Sequence, residues 1–112
     1  MQLNSIKHKF VKPKMYSEVV TITPHLANSM LEFQNSNNRN LNKNAVEKYA
    51  KIMRSGNWEL TPQGLVIDYN TDRLVDGQHR LAAIRQTGVT LDMYVTYIDN
   101  PNTFKYLDQG RN

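Results

Sequence analysis

The run Leu74-Val75-Asp76-Gly77-Gln78-His79-Arg80-Leu81-Ala82-Ala83-Ile84-Arg85-Gln86-Thr87-Gly88 leaves the chain little choice of local structure. Leu74 and Val75 read as the end of a strand and Asp76-Gly77 as a tight polar turn. A helix opens at or just before Gln78, with apolar Leu81 and Ile84 one turn apart and Gly88 placed to stop it. A helix launched straight off a strand presents the unpartnered N–H groups of its first turn and the positive end of its peptide dipoles. His79 and Arg80 add side-chain donors there, and Gly77 has no side chain to obstruct an approaching oxyanion. The stretch reads as an anion site, with Arg80 the principal ligand-holding fork and His79 a smaller, titratable donor. Asp76 reads either as the N-cap of this helix or as a contact for nucleotide-linked magnesium or a ribose.

The flanking segments supply the layers such a turn needs. Ser17 to Thr21 is a β-branched strand, and Thr23-Pro24 opens a helix whose buried stripe is Leu26, Ala27, Met30, Leu31 and Phe33. Six of the ten residues from Asn35 to Asn44 are Asn, which marks a loop. Asn44 can cap a second helix with Val46, Tyr49, Ala50 and Met53 on one face, and Gly56 ends it. Trp58 lies beyond that stop, where it either packs over the helix end or stacks on a base. Leu65 to Tyr69 is a strand with Leu65, Ile67 and Tyr69 on one face; Asn70-Thr71-Asp72 turns it into a hairpin that delivers the chain to Asp76. Thr90 to Ile98 alternates Leu91, Met93, Val95 and Tyr97 as a long internal strand, and a short helix follows around Thr103 to Leu107. Strand, helix, helix, hairpin, helix, strand predicts one compact α/β (α+β) domain, a small mixed sheet with helices packed on it.

Composition narrows the classes. A chain of 112 residues, 39% hydrophobic, fits a single domain. Without cysteine, disulfides, thiolate metal sites and thiol nucleophiles are excluded. His8, His25 and His79 have no metal-ligand spacing, so no structural metal is expected. No signal peptide opens the chain and no apolar run nears the roughly 18 residues of a membrane helix, so a soluble, cytoplasmic protein is expected. The net charge of +4 is confined to Lys7, Lys9, Lys12 and Lys14 in a basic arm over residues 1–14, and the body, residues 15–112, is neutral. Such an arm is either a solvated terminus or an aid to nucleic-acid binding.

Asp76-Gly77-Gln78-His79-Arg80-Leu81, followed by Ala82-Ala83 and Gly88, resembles the signature of the ParB/sulfiredoxin-like superfamily, in particular its branch met in bacteriophage proteins and DNA-modification regulators. Upstream Asn38-Arg39, a helix, Gly56, Trp58 and Pro62 fall in the family's order, so the resemblance covers about residues 17 to 108. It implies the ParB/sulfiredoxin-like fold and a nucleotide cleft with Gly77, Gln78, His79 and Arg80 at the phosphates. Arg39, which composition explains equally as loop, falls with Asn38 where relatives carry a second nucleotide contact. Sulfiredoxin chemistry needs a thiolate where this chain has Gln78, and is excluded.

The function this implies is a nucleotide-binding domain, holding CTP or ATP with magnesium, acting as a regulator or slow NTPase in DNA metabolism, in a phage-related setting. The alternatives are a DNA-binding module or ParB-like nuclease using the same anion site, and a protein-interaction module that has lost its ligand. A homodimer is compatible with each. No catalytic constellation is legible: Asp68, Asp72 and Asp76 are spaced across a hairpin in a way that does not itself join them.

Overall fold

The structure, a computed structural model, describes residues 15–36, 38–60 and 63–99. The basic arm over residues 1–14 and the short helix expected around Thr103 to Leu107 lie outside the described residues. Four strands and three helices follow in the order β1 (Met15–Ile22), α1 (Pro24–Phe33), α2 (Lys43–Arg54), β2 (Leu65–Asp68), β3 (Leu74–Asp76), α3 (Gln78–Thr87) and β4 (Leu91–Ile98). The strands form one sheet in the order β1-β4-β2-β3. β4 runs antiparallel to β1 and parallel to β2, and β2 forms the expected antiparallel hairpin with β3. The result is an α+β domain on a mixed sheet, with the long strand β4 inside it as its alternation predicts.

Alternation decides the faces. Val20 and Ile22 stand opposite Met93 and Leu91, and with Val95 and Tyr97 they form the inner face that meets the helices. Tyr16 stacks on Tyr97 with ring centroids 4.8 Å apart, and the Tyr97 hydroxyl donates to Glu18 Oε2 at 2.9 Å. Burial first, then that carboxylate, pushes the Tyr97 hydroxyl well above the usual phenol range.

The helices start where side chains can close them. The Thr23 hydroxyl accepts from the Leu26 N–H at 3.1 Å, with Pro24 in the first turn. Phe33 is not in the buried stripe and is 79% exposed. The helix ends at it, and Gln34 turns inward instead, its amide donating to the Asp72 carbonyl at 2.7 Å. In α2 the cap is Asn42 rather than Asn44: Asn42 Oδ1 accepts from the Ala45 N–H at 3.1 Å. Trp58 packs edge-on to Tyr49, 6.3 Å between centroids, which places it against the helix it follows.

α3 is the most deeply buried of the three helices. It contacts both other helices, and six of its ten residues are buried, with Leu81, Ala83 and Ile84 fully so. The expected polarity of strand end, glycine turn and helix is present, and Gly88 stops the helix in the left-handed conformation. No helix among the described residues is long and apolar enough to cross a membrane.

Candidate functional site

The N-cap of α3 is Gly77, not Asp76, and it adopts φ 110°, ψ 9° with no side-chain cap. A Cβ at Gly77 would lie 2.5 Å from Leu65 Cδ2 and 3.1 Å from the Gly64 carbonyl oxygen, so backbone conformation and space both require glycine. Asp76 belongs to β3, paired with Val66, and its Oδ2 lies 3.8 Å from Arg80 Nη1. The carboxylate therefore faces the guanidinium across the glycine turn, and Gly77 starts the helix without a side-chain cap.

Arg80 is buried, 8% exposed. Its Nη1 donates to the Gly64 carbonyl at 3.1 Å and its guanidinium carbon lies 5.1 Å from the centroid of the Tyr49 ring. Gly64 passes so close to β4 that a Cβ would sit 2.0 Å from the Tyr94 carbonyl oxygen, and that approach brings its own carbonyl within reach of Arg80. The guanidinium thus ties α3 to the entry of β2. What remains of its surface borders a cleft of about 230 Å³ lined also by Tyr49, Asn57, Trp58 and Glu59.

Gln78 is also buried and serves as a latch. Its Oε1 accepts from Asn35 Nδ2 at 3.0 Å and its Nε2 donates to the Arg39 carbonyl at 2.8 Å. Asn38 donates through Nδ2 to Asn35 Oδ1 at 2.7 Å and to the Leu74 carbonyl at 2.8 Å, so it seals the outer edge of β3. The Asn-rich loop therefore has a fixed path across the start of α3. That path leaves Arg39 exposed beside His79, whose proton it disfavours.

His79 Nε2 accepts from the Asn42 backbone N–H at 3.0 Å. This bond joins the N-terminal ends of α2 and α3, and it requires Nε2 to be unprotonated, leaving the ring proton on Nδ1. Burial foremost, then Arg39, holds the imidazole below its ordinary range, with Asp76 acting in the opposite sense. Two positive helix ends and the exposed Arg39 therefore meet at a neutral imidazole.

Next to this junction a groove of about 630 Å³ runs between α2 and α3, lined by Leu41, Lys43, Asn44, Val46, Ala82 and Arg85, with Glu47 and Gln86 at its side. Glu47 is engaged by Arg54 and by Gln86, whose Nε2 donates to it at 2.9 Å. Those bonds hold the carboxyl below the usual carboxylate range. Lys43, Asn42 and Arg85 were not legible as site residues: Asn42 and Asn44 offer equivalent caps two positions apart, and only the His79 contact distinguishes them.

Among the described residues no group of three or more His, Cys, Asp or Glu side chains is placed to hold a metal ion. Asp76 fits magnesium poorly, since its carboxylate faces Arg80. Neither a family model, nor a curated protein, nor a solved structure matches the chain.

Proposed function

We propose that this chain is a nucleotide-binding domain, similar to the ParB/sulfiredoxin-like proteins, that regulates a step of DNA metabolism. The single observation that carries the reading is the junction at His79, where the N-terminal ends of α2 and α3 meet beside Arg39, with Lys43 the first residue of α2. Helix N-termini offer oriented N–H donors to phosphate oxygens, and two of them with flanking cations suit a polyanion better than a single charge. The adjoining groove of about 630 Å³ lies within the roughly 300–1,000 Å³ usual for small-molecule sites and gives a base and sugar somewhere to lie. Arg39 is the cation that reaches the phosphates; Arg80 holds the scaffold beneath them.

Calorimetry of CTP and ATP, each with and without magnesium, against wild type and Arg39→Ala tests this. One of the two nucleotides should bind, and Arg39→Ala should weaken it about ten- to hundredfold, the loss of one charge-assisted contact. Absence of heat with both nucleotides, or equal affinities for the two proteins, would contradict the reading. The four lysines of residues 1–14 favour a second reading in which the same junction takes a DNA backbone phosphate. Binding of a short duplex that falls steeply with salt, with no response to nucleotide, would select it.

A further inference from the structure

The two edges of the sheet are finished differently. β3, only three residues long, has its outer edge closed by the loop before α2: the Leu74 N–H donates to the Gln34 carbonyl at 2.6 Å, and the Leu74 carbonyl accepts from Asn38 Nδ2 at 2.8 Å. β1 is eight residues long, pairs with β4 in unbroken register from Met15↔Ile98 to Ile22↔Leu91, and has no strand on its other side among the described residues. Sheet edges are ordinarily guarded by lysine, proline, a bulge or a covering segment. Met15-Tyr16-Ser17-Glu18-Val19-Val20-Thr21-Ile22 contains no lysine, arginine, proline or glycine, and its unbroken pairing contains no bulge. Its one charge, Glu18, is on the helix-facing side and accepts from the Tyr97 hydroxyl.

We infer that this edge is a self-association seam, at which β1 of one copy pairs antiparallel with β1 of a second across a two-fold axis centred on Val19. Paired residues on a common face must have numbers summing to an even value, so the axis passes through a residue. Centred on Glu18 it would set two carboxylates directly opposite each other, which is unfavourable. Centred on Val19 it sets Val19 against its symmetry mate, Ser17 against Thr21, and Glu18 against Val20, with no like charges opposed. Val19 is 47% exposed and available for that contact. The product is one continuous eight-stranded sheet, closed by symmetry and free of further open long edges. A seam of one strand per copy is at the small end of specific interfaces, so the dimer is reversible and concentration-dependent.

Sedimentation equilibrium of the full chain should show a concentration-dependent rise from 13.0 kDa toward twice that mass. Val19→Lys, which opposes two ammonium groups at the axis, should weaken association at least about tenfold while leaving the far-ultraviolet circular dichroism unchanged. Because the chain has no cysteine, single thiols report the register without interference. Under mild oxidation Val19→Cys should give a covalent dimer and Thr21→Cys, whose symmetry mate is displaced by four residues, should not. A 13.0 kDa monomer at every concentration overturns the inference, whether residues 1–14 occupy the edge in the same chain or nothing does. So do equal cross-linking by the two cysteine variants and a dimer indifferent to Val19→Lys.

Discussion

The three helices of this protein begin in two different ways. α1 and α2 are closed by their own caps, Thr23 on the Leu26 N–H and Asn42 on the Ala45 N–H. α3 begins at a left-handed glycine with no side-chain cap, and its first three side chains are each committed elsewhere: Gln78 to the Asn-rich loop, His79 to the start of α2, Arg80 to the entry of β2. Capping satisfies an orphan donor at the helix it belongs to. At α3 the side chains instead fasten three separate segments around a helix start that has no side-chain cap. A helix end organised in this way costs local stability and gains a defined surround, which is the trade expected at a binding site.

The largest effect should come from Gly77→Ala. An alanine there takes on a disfavoured φ and pushes against Leu65 and the Gly64 carbonyl, for a loss of roughly 2–4 kcal/mol in urea unfolding. Thr23→Ala, the removal of an ordinary cap, should cost only about 1 kcal/mol. If the two losses are equal, the two kinds of helix start do not differ in the way described.

Next comes Arg80→Ala. It removes the partner of a buried carbonyl and the packing over Tyr49, and should lower stability by about 2 kcal/mol. Arg80→Lys, which keeps the charge but not the planar group over the ring, should recover only part of that. A variant with unchanged unfolding would mean that the guanidinium does not brace α3.

The smallest effect is one of pH. Above the ordinary imidazole value His79 is neutral in both folded and unfolded chains, and its bond to the Asn42 N–H contributes in full. As pH falls through about 6.5 the unfolded chain takes up the proton first, because burial lowers the folded-state value. Stability should therefore decline as the solution is acidified from pH 7 and level off below the folded-state value. His79→Gln should remove that share of the slope; an unaltered slope would show that another group carries it.

What could be read from the sequence was what neighbouring residues decide together. The strand-to-helix turn at Gly77, the Thr23-Pro24 start, the stop at Gly88 and the alternation of β4 each depend on residues adjacent in the chain, and each is present. What could not be read depends on distant contacts. Arg80 reads from its neighbours as a ligand-holding fork, and nothing adjacent in the chain signals its burial. It is buried by Gly64, sixteen residues earlier, whose missing side chain lets β2 come close. Gln78 likewise gave no sign of being a latch, because its partners, Asn35 and the Arg39 carbonyl, are about forty residues away in a loop that composition marks only as irregular. The mixed sheet follows from the order of elements, but the strand order β1-β4-β2-β3, with β2 beside β4, is non-local in the same way.

Backbone amide shifts followed by ¹H–¹⁵N NMR during titration with CTP or ATP test whether the start of α3 takes the phosphates. The N–H groups of Gln78, His79 and Arg80, which begin α3 without a side-chain cap, should move progressively with added nucleotide, together with the N–H of Lys43 at the start of α2. The capped N–H of Leu26 should stay nearly still, and Arg39→Ala should reduce the movement at α3. Shifts spread evenly over the three helix starts, or absent from residues 78–80 while nucleotide binds, would contradict the assignment of this junction as the phosphate site.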